Sequence, residues 1–346
     1  MSWIISKKAD LLLLFGPVWL CWLIIFSLPS EVTSIDAPVW VWVVFVIGID
    51  VSHVWSTLFR TYLDHEEFQN HRRLLTWTPL VVFTLTLLVA SFSLHLFWRI
   101  LAYVAVFHFM KQQFGFMRIY KAKASDFRKQ VISDNFVIYW SMLYPVLFWH
   151  MNIDRNFSWF MAGDFVQWNI KHIGLFNTIG SGIYLLVIGA WLIQELAFSS
   201  TRLPIGKILW VMTTATNWFL GIVWFNSDLI FTLTNVIAHG VPYLALVYFY
   251  QNKKMKLRKQ WISPRFLGHF LLVILVLAMV EEIFWEVMVN KEFRSIFPTV
   301  EVPYVILVLA TALLSVPQIT HYVVDGFIWK SNEKNPYLKK VLFPSV

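Results

Sequence analysis

Cysteine is all but missing from this chain. The single Cys21 lies inside the first apolar run, so no internal disulfide and no cysteine-based metal site can form. Charge is scarce as well. Asp, Glu, Lys and Arg make up 14% of the 346 residues, where soluble domains carry roughly a quarter. No small-residue cleavage site follows the first apolar run, which argues against a cleaved signal peptide. No internal repeat and no stretch with the composition of a soluble domain stands out.

What the chain has in excess is apolar and aromatic surface. It is 58% hydrophobic, 18% aromatic, and has a mean hydropathy of +0.62. Its 19 tryptophans suit the many span ends of a multi-pass protein, because indole favours the membrane–water interface. The net charge of +8 would suggest nucleic acid in a soluble protein. Here the cations fall almost entirely in short loops, where they read as topology signals and as contacts to anionic lipid.

A helix needs roughly 20 apolar residues to span a bilayer. Ten such stretches are expected at 10–29, 38–60, 75–94, 96–118, 134–151, 174–197, 207–225, 228–250, 266–288 and 302–327. The predicted fold class is an all-α, polytopic transmembrane helix bundle, with 1–346 forming a single integral membrane domain. The stretch 152–173 is too polar to span and reads as interfacial. About 22 of the 28 Lys and Arg residues fall in the terminal tails and the even-numbered loops. Among them are Arg60, Arg72, Arg73, Arg202, Lys207 and the runs Arg118–Lys129, Lys253–Arg265 and Lys330–Lys340. The odd-numbered loops hold Arg99, Arg155, Lys171, Lys291 and Arg294. The asymmetry puts both termini in the cytoplasm.

Ionisable groups inside spans are costly and mark function by default. Four expected spans carry one deep histidine each: His53, His108, His239 and His321. His108 and His239 sit about eleven residues in from a span end, near the midplane at 1.5 Å per residue. Asp50 precedes His53 by three positions, Asn235 precedes His239 by four, and Asp325 follows His321 by four. Residues so spaced share a helix face. They could orient the imidazoles, as carboxylates and carbonyls do for metal-bound histidine, or the carboxylates could bind a metal directly. A shared metal or haem site, unrelated structural histidines, and a proton or substrate path all remain open on spacing alone.

Other polar groups compete for attention. Glu281, Glu282 and Glu286 crowd the end of the ninth span and read as an early helix end, a polar outer cavity or a cation path. Lys111 shares a face with His108 and is expected to reach the interface or to pair with Asp50 or Asp325. His65 and His71 fall in the polar stretch after the second span, expected as a solvated cytoplasmic loop. His95, His150 and His172 are expected near the outer interface, and His269 just inside the ninth span.

Only nitrogen and oxygen ligands are available, which suits Fe, Cu, Zn or Ni. A histidine site with open positions suits Fe(II) and O₂ chemistry on a lipophilic substrate drawn from the bilayer. Haem held axially by two histidines is the alternative cofactor. The HxxxH and HxxHH clusters of membrane desaturases and hydroxylases are absent.

Four short segments resemble the Brp/Blh family of bacterial membrane β-carotene dioxygenases. They are Gly48–His53, Phe107–Phe109, Ile237–Gly240, and Val316–His321 running on to Asp325 and Phe327. The chain departs from the family pattern at three of them. Asp50, Val51 and Ser52 stand where the family has Leu-Pro before His. His239 stands alone where the family has a pair. His321 follows Pro317 by four positions instead of one. The resemblance implies an Fe(II) site made by histidines of several helices, with O₂ as cosubstrate, in a bacterial inner membrane. The expected function is therefore a non-haem iron oxygenase acting on an isoprenoid, carotenoid-like or acyl substrate. A polytopic transporter or a haem-binding electron-transfer protein is the alternative, although matched broken helices, the mark of many transporters, are not found.

Overall fold

The computed structural model describes residues 3–29, 38–126, 128–152, 155, 159–197, 203–260, 263–293, 296–298 and 300–343. Arg202 and Arg294, read above as loop cations, lie outside them. Among the described residues there are twelve helices and no strand. They are α1 (Lys7–Ser27), α2 (Val39–Arg60), α3 (His65–Asn70), α4 (Arg72–Phe92), α5 (Leu94–Lys123) and α6 (Asp134–Met151). They continue with α7 (Ile173–Ala197), α8 (Ile205–Trp218, extended by a wide turn over Phe219–Trp224), α9 (Asp228–Leu257), α10 (Phe266–Asn290), α11 (Tyr304–Ile328) and α12 (Pro336–Leu342).

Seven of them, α1, α2, α4, α7, α9, α10 and α11, are long and apolar enough to cross a membrane. The other three expected stretches are also helical but more polar or shorter. α5 carries Arg99, Lys111, Gln112 and Gln113; α6 runs for 18 residues; α8 has Thr213, Thr214, Thr216 and Asn217 in its middle. Side-chain caps start several helices. Asp64 accepts from the Glu67 N–H at 3.3 Å before α3, and Ser133 accepts from Phe136 at 3.2 Å before α6, satisfying donors the helix leaves open. Among the described residues, four segments are π-wound: Asp10–Phe15, Trp42–Val51, Phe219–Trp224 and Glu286–Asn290.

The chain divides into two compact units, Met1–Asp36 with Ala102–His239, and Ala37–Leu101 with Gly240–Val346. In the first, Lys207 is wholly buried among three carboxylates, at 2.6 Å from Asp126, 3.0 Å from Asp134 and 2.9 Å from Glu195. Arg128 bridges Asp126 and Glu195, and Lys121 reaches Asp134 at 2.7 Å. Three cations thus face three anions, the condition under which buried charge is tolerable. Asp10 accepts the backbone N–H groups of Ile4 and Ile5 and the Tyr120 hydroxyl. Within the segment expected at the interface, the Asp164 carboxylate gathers the N–H groups of Trp159, Phe160 and Met161 into a compact turn.

The second unit has its own ion network. Arg60, fully buried, pairs with Glu67 and donates to the Ile328 carbonyl at 2.7 Å. Its guanidinium lies 4.3 Å from the Tyr250 ring centroid, a cation–π contact. Lys254 reaches Glu67 at 2.7 Å and Asp64 at 2.8 Å. His71 bonds Asn335 at 2.9 Å and is 6% exposed. The polar stretch after α2 is therefore packed structure at this point, against the expectation of a solvated loop; of its two histidines, only His65 is exposed. The sequence signal misled because these charges neutralise one another across distant segments. Elsewhere in this unit, α2 and α10 are laced by indoles, Trp42 donating to Glu282 at 3.1 Å and Trp55 to Glu281 at 2.7 Å. Glu286 accepts the N–H groups of Glu292 and Phe293 just past the end of α10; the helix runs through all three glutamates to Asn290, so they do not mark the early helix end expected of them.

Candidate metal centre

In the first unit, α5 presents His108 and α9 presents His239. Both are buried, 5% and 0% exposed, with ring centroids 5.1 Å apart and planes at 78°. Phe109 stacks on His239 at 3.7 Å and 7°, which restrains the imidazole plane. One turn beyond His108, Gln112 donates to the His239 carbonyl at 2.7 Å and ties α5 to α9 at this level. Gln113 is held by the Thr214 hydroxyl at 2.9 Å.

In the second unit, α2 presents His53 and α11 presents His321, 2% and 1% exposed. Their centroids lie 5.0 Å apart with planes at 78°. Asp50 approaches His53 Nδ1 to 3.6 Å, and Asp325 approaches His321 Nδ1 to 3.7 Å. Both separations exceed hydrogen-bonding distance. Closer to His321 stands Thr57, whose Oγ1 is 2.8 Å from Nδ1. Thr57 is also 3.1 Å from the Tyr243 hydroxyl, and that hydroxyl donates to Asp325 at 2.6 Å.

His53, His108, His239 and His321 each offer one ring nitrogen, and these atoms lie within 4.8 Å of one another, so together they could hold a metal ion. The donor set fits a borderline first-row transition ion, being neutral imidazole with no thiolate. Of the remaining expected site residues, Asp50 and Asp325 stand beside the imidazoles as above. Asn235 donates to the Phe231 carbonyl at 3.2 Å and accepts from Asn217 at 3.5 Å. Lys111 donates to Tyr139 at 3.3 Å. His150, expected near the outer interface, is buried and bonded to the Tyr103 hydroxyl at 2.8 Å.

Three neighbours escaped the sequence reading: Thr57, Gln112 and Tyr243. Yet each sits four residues after a histidine, Thr57 after His53, Gln112 after His108 and Tyr243 after His239, as Asp325 does after His321. A polar residue one turn beyond every deep histidine is the signal that could have found them. In comparisons with known proteins, no family model, no curated protein and no solved structure matches this chain.

Proposed function

We propose that this chain is a membrane-embedded, iron-dependent oxygenase that takes a lipophilic isoprenoid, carotenoid-like or acyl substrate from the bilayer. One observation carries the reading: four buried imidazoles, within reach of a single ion, in a chain whose described residues form seven long apolar helices. A ten-span topology with both ends in a bacterial cytoplasm belongs to the same proposal, supported by the uneven placement of Lys and Arg. His53, His108, His239 and His321 would hold the metal. When bound, ferrous iron on neutral nitrogen ligands supplies a place where O₂ and an electron-rich apolar substrate can meet.

The chain's own residues would do the rest. The four imidazoles are almost wholly screened from solvent, which limits access of water to the chemistry. Phe109 holds the plane of His239 by stacking. Gln112, through the His239 carbonyl, fixes the height of α9 against α5.

Metal analysis of the purified chain after loading with ferrous iron under argon tests the reading. About one iron per chain is expected, and His108→Ala and His53→Ala, one from each pair, should each lose most of it while remaining folded. A wild type that binds no transition metal, or full occupancy in both folded variants, would overturn it. A Soret absorbance in protein purified from its producing cells would replace iron with haem.

A further inference from the structure

Beyond the metal ligands, the second unit contains a chain of hydroxyls ending on a carboxylate. His321 Nδ1 is 2.8 Å from Thr57 Oγ1, Thr57 Oγ1 is 3.1 Å from the Tyr243 hydroxyl, and that hydroxyl is 2.6 Å from Asp325 Oδ1. Thr57, Tyr243 and His321 are 6%, 1% and 1% exposed in turn, so water does not compete freely for these contacts. Each hydroxyl has one proton to give, and at the carboxylate end the Tyr243 hydroxyl gives its proton to Asp325. The direction of every bond follows from that end. The Tyr243 oxygen can then only accept, so Thr57 donates to Tyr243. Thr57 has no second proton, so the contact with the imidazole holds a hydrogen only if His321 Nδ1 is the donor.

We propose that Thr57 and Tyr243 are positioning residues that fix the tautomer of His321: the relay places the ring proton on Nδ1 and leaves the Nε2 lone pair as the ligand atom. Metal-bound histidine typically donates its second ring N–H to a carboxylate or carbonyl, fixing tautomer and ring orientation. Here the carboxylate acts at a distance of two hydroxyls. This accounts for Asp325 standing 3.7 Å from Nδ1, outside direct hydrogen-bonding range. The ligand role of His321 rests on the function proposed above; its tautomer does not.

The test therefore has a metal-free arm and a metal arm, both on the full-length chain in detergent. In the first, ring-¹⁵N histidine spectra of metal-free protein are recorded at alkaline pH, where imidazole is neutral, with the His321 signals assigned by their loss in His321→Gln. His321 should carry its proton on Nδ1 in the wild type and in Thr57→Ser, and should shift to a tautomer mixture or to Nε2–H in Thr57→Val. Tyr243→Phe, which removes the link to the carboxylate, should shift it the same way. In the second arm, zinc(II) is titrated against a chromophoric chelator. Thr57→Val should weaken binding about 10–100-fold, the usual cost of losing an outer-shell partner, and Thr57→Ser should restore it to within a few-fold. An Nε2–H tautomer in the wild type, or an unchanged tautomer in Thr57→Val, overturns the relay. If the tautomer shifts as expected while no form of the protein binds zinc, the relay stands and the metal reading falls.

Discussion

Replacing Lys207 by methionine would remove the one fully buried cation from a cage of three carboxylates. Its Nζ lies 2.6 Å from Asp126, 3.0 Å from Asp134 and 2.9 Å from Glu195. The two cations that remain, Arg128 and Lys121, are only partly buried, with side chains 26% and 18% exposed. Three cations against three anions become two against three, leaving one uncompensated charge where Asp134 and Glu195 have no exposure at all. Removing one partner of a buried ion pair costs about 3–5 kcal/mol. A folded state stable by about 5–15 kcal/mol loses between about a fifth and all of its margin that way. Methionine conserves much of the lysine stem, so little of the loss should come from packing. The assay is thermal stability of detergent-solubilised protein, followed by fluorescence-detected gel filtration. Lys207→Met should lower the transition temperature and the yield of monodisperse protein. The double variant Lys207→Met/Asp126→Asn removes a cation and an anion together and should recover much of the loss. A single variant as stable as the wild type, or a double variant worse than the single, would refute the charge-balance argument.

Gly240→Ala should destabilise, because a Cβ there would lie 2.5 Å from Ile49 Cγ2 and 3.3 Å from the Ile49 carbonyl oxygen; overpacking of this kind costs about 1–3 kcal/mol. Gly189→Ala, where a Cβ meets nothing within 4 Å, should raise stability by up to about 1 kcal/mol through helix propensity, and the same melts compare the two. Burial alone would raise the Asp126 pKa, but hydrogen bonds and charge from Arg128 and Lys207 outweigh it and hold the carboxyl below its usual range. For Asp64, Lys254 does the same. A depressed folded pKa gives stability that is present above the unfolded value near 3.8 and lost as pH falls through the folded one. Melts should therefore show no loss from these two groups between pH 7 and about 5, and a loss below about 4; a decline already at pH 6 that Asp126→Asn abolishes would contradict the sign. Reporters fused after Lys340 and placed near Lys256 should both read cytoplasmic, and one near Asp154 should read external. If the reporters at Asp154 and Lys256 agree, the span count between them is wrong.

The parts of the fold legible in the sequence are those governed by local composition. Apolar runs locate every long helix, because a helix in lipid satisfies its own backbone wherever the run is. The four deep histidines were legible for the converse reason, since each breaks an apolar pattern that tolerates few exceptions. Pairings across distant segments were not. Lys207, Arg128 and Lys121 each read as a loop cation, although together they neutralise Asp126, Asp134 and Glu195. The tryptophans read as interface residues, yet Trp22 donates to Asn217, Trp191 to Asp134 and Trp210 to the Gln113 carbonyl, all in buried positions. Thr57 stayed hidden because a threonine in an apolar helix ordinarily bonds its own backbone. Its contact with His321 depends on α11, 264 positions away.

The π-winding of α2 over Trp42–Val51 has a bearing on how this site could change through descent. A wider turn spends more residues on each revolution than α-winding does, so the segment sets the heading of all that follows it, His53 and Thr57 included. Loss of a single residue between 42 and 51 would let the helix relax towards ordinary α-winding. The apolar face upstream and the histidine face downstream would then rotate relative to each other, with no side chain at the site itself altered. A point substitution tests one contact; a one-residue deletion here would re-aim two at once. In an alignment, the segment 42–51 is where a lone gap would mark a lineage that had given up, or never acquired, this arrangement of His53.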